Sequence, residues 1–109
     1  MTAATTTDTL LVLLSNQTVN ISSVPVTCPF SNGVLKVWGT WNGANVVINT
    51  SVPGAPGTFI PVTDANGNPL TFTQNTQVTL ANIVYGDLIV AVQSASGAAT
   101  NLNATIQKV

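Results

Sequence analysis

Three Asp (Asp8, Asp64, Asp87), two Lys (Lys36, Lys108) and one Cys (Cys28) make up the whole stock of carboxylates, amines and thiols among the side chains of this 109-residue chain, which has no Arg, Glu or His. Hydrolysis by a carboxylate pair would have to use Asp64 and Asp87, brought close in space. Both stand in turn-forming surroundings, Asp64-Ala-Asn-Gly-Asn-Pro69 and Tyr85-Gly-Asp87. Asp is favoured there because its carboxylate bonds the local backbone, so both read as surface turn residues. Lys36 lies in a β-rich run, where a lysine guards an edge or a solvent face, and no motif marks a nucleophile beside it. Cys28 has no second cysteine for an internal disulfide and no His to activate it, so it reads as a small buried apolar residue.

Metal and phosphate chemistry fare no better. The segment from Asp64 opens like a calcium loop of the form D-x-N-x-N-G. Its sixth residue is Pro69 where Gly is required, and its twelfth is Asn75 where Glu is required, which leaves a turn. Without His, and with one Cys, a zinc site within one chain is excluded. The lack of Arg and of any basic face argues against a nucleic-acid partner. We expect no enzyme and no cofactor. Carbohydrate is a stronger candidate. Trp38, Trp41 and Tyr85 offer flat apolar faces beside Asn and Thr groups. Trp38 and Trp41 are three apart on one strand, so they point to opposite faces; one belongs to a core and the other to a surface or interface. We place Trp38 with Phe72 among the larger core pieces, and take Trp41 and Tyr85 as interface or sugar-platform candidates.

The elements that would position these residues read as strands throughout. The chain holds 15 Val, 6 Ile and 17 Thr, branched residues that suit pleated sheets better than helices. Residues 1–9 are Thr-rich and read as an arm, mobile unless a neighbour orders it. Leu10–Leu14 is an unbroken apolar run, either a strand buried on both faces or a partner contact. Thr18–Ile21 alternates, and Val24–Phe30, with two prolines, suits an edge strand or connector. Asn32-Gly33 and Asn42-Gly43 are tight-turn dipeptides. The run Val34–Trp41, the second of these turns and the run Ala44–Ser51 make the strongest hairpin signal. Pro53–Gly57 reads as a rigid loop and 64–69 as a turn. Phe59–Val62, Leu70–Thr73, Gln77–Ala81, Leu88–Val92 (the most apolar, hence central) and Leu102–Val109 complete about eight strands. Their spacing predicts an all-β, antiparallel β-sandwich (jelly-roll or Ig-like), one domain over 10–109 behind the N-terminal arm.

Composition then bears on what such a domain does. Its hydrophilic surface comes from 17 Thr, 12 Asn, 7 Ser and 5 Gln, and the formal net charge is −1. A freely diffusing protein keeps charge for colloidal solubility. An uncharged polar surface instead suits a subunit that stays docked, since few ions must be stripped of water on assembly. No run of about twenty apolar residues spans a membrane, and the five-residue run at Leu10 follows no basic segment, so a soluble cytoplasmic product without a membrane partner is expected.

The stretch Val37-Trp-Gly-Thr-Trp-Asn-Gly-Ala-Asn-Val-Val-Ile48 resembles a pattern of small tailed-bacteriophage virion proteins, a glycine-bearing strand of the form G-T-aromatic-x-G-A-x-V followed by alternating apolar residues. Phe59–Val62, Gln77–Leu80 with Gly86, and Leu88–Gly97 with Leu102–Ile106 resemble that family's later strands and closing hairpin, so the likeness covers residues 34–109. Pro53–Gly57 departs from the family's D-G-G turn, the last hairpin lacks the family's Arg, and residues 1–33 match nothing in it. The resemblance implies a non-enzymatic structural virion protein: a capsid decoration (cement) protein, made in the host cytoplasm, that stabilises the outer shell. Its partners would be the major capsid protein and itself, as a homotrimer. The alternative is a tail, fibre or head-appendage module binding a host receptor or glycan. Contacts ordered on docking are expected from the arm and from Leu10, Leu11, Val12, Leu13 and Leu14, with Trp41 and Tyr85 as further interface candidates.

Overall fold

The computed structural model describes residues 5–6, 10–22, 26–27, 32–52, 54–63, 66–80, 87–95 and 99–108. Its strands are β1 (Thr5–Thr6), β2 (Leu10–Gln17), β3 (Ile21–Ser22), β4 (Val26–Thr27), β5 (Gly33–Thr40), β6 (Asn45–Val52), β7 (Ala55–Pro61), β8 (Thr71–Phe72), β9 (Thr76–Leu80), β10 (Asp87–Gln93) and β11 (Asn101–Lys108). Sheet A has the order β1-β2-β11-β5-β9. Sheet B has the order β3-β10-β6-β7, with β4 also beside β10 and β8 beside β6. All described pairings are antiparallel. The chain is an all-β sandwich of two antiparallel sheets, as its alternation predicts.

The period-two pattern explains which side of each sheet is buried. Leu35 and Val37 of β5 and Leu102, Ala104 and Ile106 of β11 point inward from sheet A. Val46 and Ile48 of β6 and Leu88, Val90 and Val92 of β10 point inward from sheet B, and Leu70 and Phe72 join them. β10 lies between β6 and the β3/β4 pieces, which is the central place its apolar composition suggests.

β2 departs from simple alternation. Opposite β11 it pairs Gln17 with Leu102, Leu14 with Ala104 and Val12 with Thr105, so two β-bulges give β2 extra residues. A bulge shifts the side-chain phase, which lets Leu13 and Leu14 both turn into the core behind Leu11. At the irregularity between Leu14 and Gln17, Asn16 has φ 51°, and its N–H donates to Asn103 Oδ1 at 3.0 Å. Asn20 Oδ1 accepts likewise from Ala95 N–H at 2.8 Å. The asparagine amide imitates a peptide group and serves as ladder partner where regular pairing stops; this is one physical use of so many Asn.

Several expectations are corrected. The strands β5 and β6 do not form a hairpin. Asn42 (φ 45°) and Gly43 (φ 86°) make the tight turn, closed by Ala44 N–H donating to Trp41 O at 2.9 Å. The two flanking strands then part into opposite sheets, because β5 already has β11 and β9 on its two edges while β6 has β10 on one and β7 and β8 on the other. The β10–β11 stretch is likewise not a hairpin, since the two strands lie in different sheets. Gly33 opens β5, paired with Leu80 and Lys108, instead of forming a tight turn. Ala55–Gly57 belong to β7, with Ala55 paired to Val52 of β6, so this part of the expected rigid loop at Pro53–Gly57 is strand; Pro53 lies outside the described residues. Thr18–Asn20 lie outside strands, which resume at Ile21. Of the expected arm, Thr5–Thr6 pair with Leu11 and Val12 of β2; the rest of residues 1–9 lie outside the described residues.

Candidate functional site

The outward side of sheet A follows from its register. Antiparallel partners share a face, so Val12, Thr105, Lys36 and Gln77 form one row across β2, β11, β5 and β9. Leu10, Gln107, Val34 and Thr79 form the next, and Trp38 stands opposite Asn103. Amides, hydroxyls and short aliphatic groups make up these rows. Lys36 is their one cation, and Trp38 is their one aromatic side chain, 41% exposed.

The end of β5 is held by an unusual corner. Past the Thr76–Val37 pair β9 has ended, and the Asn75 side chain takes over its pairing role. Asn75 Oδ1 accepts from Gly39 N–H and from Trp41 Nε1–H, both at 2.9 Å. Gly39 itself sits at φ 144°, and a Cβ there would run into the carbonyl of Asn101 on β11. Trp41, half-buried, packs on the core; its carbonyl accepts from the hydroxyl of fully buried Thr100 at 3.3 Å as well as from Ala44 N–H. Between this corner and Lys36 lies a shallow groove of about 380 Å³, lined by Lys36, Val37, Trp38, Asn75, Thr76 and Gln77. A second depression, about 590 Å³ on the outer side of sheet B, is lined by Asn20, Ser22, Asn49, Ala91 and Gln93 among others, with no aromatic or charged residue.

The sequence-predicted candidates scatter. Leu11, Leu13 and Leu14 are core residues, 0%, 5% and 3% exposed. The bulges of β2 turn them inward, so they are not free to await a partner, and of that run only Leu10 and Val12 reach the outer side, half-buried. The assignment of the two tryptophans is reversed. They do face opposite ways, but Trp38 is exposed and Trp41 is the one packed on the core, because β5 buries the odd-numbered Leu35 and Val37. Tyr85, Cys28 and Asp64 lie outside the described residues. Asp87 begins β10 in sheet B, whereas Lys36 is in sheet A. No three His, Cys, Asp or Glu side chains gather among the described residues. Sequence reasoning missed Gly39 and Asn75. A glycine inside a strand signals a close backbone approach, so Gly39 was findable; Asn75, in the gap between two strands, carried no signal.

No protein-family model matches the chain, and the searches of curated proteins and of solved structures likewise returned no match.

Proposed function

We propose that this protein is a structural subunit of a large particle, and specifically a decoration protein on the capsid of a tailed phage. The observation that carries the reading is the outer side of sheet A, two rows of Thr, Gln, Val and Leu with Lys36 as their one charge. Such a surface docks without stripping water from many ions, and little of its contact energy is screened by salt. The subunit would bind the assembled shell as a homotrimer at symmetry junctions and span neighbouring major capsid proteins. One standard interface buries about 1,600 Å², and several around one junction act together as a multivalent clamp. Leu10 and Val12, with the N-terminal arm, are the contacts this reading keeps from the apolar run.

Co-sedimentation of the purified protein with expanded capsids tests it, together with heat release of the genome from virions with and without the protein. Binding at hundreds of copies and loss of heat resistance on deletion are expected. Failure to bind, or equal heat resistance, overturns the reading, and a copy number of a dozen or fewer moves the protein to the tail. The exposed indole of Trp38 beside amide groups favours the second reading, a glycan-binding appendage module.

A further inference from the structure

We infer that the groove beside Trp38 binds an acidic saccharide, with the indole stacked on a sugar ring and Lys36 paired with the sugar carboxylate. The site does not rest on shell binding, and either can fail alone.

Four observations converge on the same few residues. The first is the exposed indole itself. β5 has no room for Trp38 inside, since Leu35 and Val37 hold the inward positions, and Trp38 lines a groove whose other residues, Val37 apart, carry amide, hydroxyl or ammonium groups. A flat apolar face ringed by hydrogen-bonding groups matches a pyranose, which has an apolar C–H face and hydroxyls at its rim. The second is spacing. Lys36 and Trp38 are two apart on one strand, so they share a face with their Cα atoms roughly 7 Å apart, near enough for one hexuronate to stack on the indole and turn its carboxylate to the ammonium. The third is preorganisation. Asn75 Oδ1 is held by two N–H donors at 2.9 Å, which fixes the amide plane and so the direction in which Nδ2 donates. A donor already in place costs little ordering on binding. The fourth is charge: Lys36 is the one cation lining the groove, which suits a single carboxylate. A polyanion such as nucleic acid would need several phosphates neutralised.

The test follows the two indole N–H resonances of the full chain by NMR. They are assigned with Trp38→Tyr, and the protein is titrated with trigalacturonate or with maltotriose as a neutral trisaccharide. A saturable shift of the Trp38 resonance by trigalacturonate is expected, with Trp41, whose N–H is already bonded to Asn75, left in place. Trp38→Ala should weaken binding about tenfold and Trp38→Tyr far less, as the loss or retention of one aromatic stack predicts. Lys36→Gln should lower trigalacturonate binding to the level of maltotriose and remove its salt dependence. Thermal unfolding confirms that each variant folds. The inference is overturned by the lack of a saturable shift up to about 20 mM, beyond even weak recognition. Binding that Trp38→Ala leaves at full strength, or that is equal for the two sugars and untouched by Lys36→Gln, overturns it as well.

Discussion

The corner where β5 leaves sheet A and the hairpin where β6 turns into β7 both rely on glycine, but for different reasons. At the corner, Gly39 is pinned from two sides: the Asn101 carbonyl occupies the place of a Cβ, and Asn75 holds its N–H. In the hairpin, Gly54 and Gly57 both have φ 81°, and a Cβ on either meets nothing within 4 Å. One region is therefore specified by packing and polar contacts across the fold, the other by local torsion alone. The difference separates a place where β5 is locked to β11 and to the residue that leads into β9 from one where the chain merely reverses.

Four substitutions sharpen or break that contrast, each read by urea denaturation unless stated. Gly39→Ala should do the most damage, about 3 kcal/mol or more, since positive-φ strain adds to a backbone clash that no rotamer relieves. A loss below about 1 kcal/mol would mean the corner is locally adjustable after all. Asn75→Ala should cost about 1–3 kcal/mol, because Gly39 N–H and Trp41 Nε1–H lose their acceptor, and Trp41 emission should move to the red as its indole loosens. Gly54→Ala should cost about 1–2 kcal/mol, the torsional penalty of a left-handed residue and nothing more. A value matching that of Gly39→Ala would erase the distinction between the two regions. Trp38→Ala should change stability by about 0.5 kcal/mol or less, as an exposed side chain away from both turns does, while weakening the proposed saccharide binding about tenfold.

The sandwich was legible because alternation is written into nearly every strand: Leu35/Val37, Val46/Ile48, Leu88/Val90/Val92 and Leu102/Ala104/Ile106 each state their inward side. What could not be read was the partner of each strand. An Asn-Gly turn specifies a tight reversal, and Asn42-Gly43 makes one, but whether the next strand pairs with the last depends on edges already claimed by β9 and β11, residues far away in the chain. Bulges were hidden for the same reason. Leu13 and Leu14 look like a strand buried on both faces until the register against Ala104 and Thr105 is known. The candidate site was half visible. Sequence reasoning pointed to a tryptophan among amides and read Lys36 only as an edge or solvent-face lysine, and it put the wrong indole in the core, since the phase of burial along β5 is set by the sheet and not by the size of the side chain. Asn75 could not be foreseen, because its role exists only where β9 stops short of Gly39.

The strand nearest the C-terminus, β11, sits between β2 and β5 and joins them. During synthesis, then, sheet A has a gap in its middle until β11 has been made. The early leucines of β2 must wait for a neighbour translated some ninety positions later, and such long-range pairing is slow to form. Sheet A acquires its shape only once β11 has emerged, and until then the unpaired edges of β2 and β5 are exposed to chaperones and to sister chains.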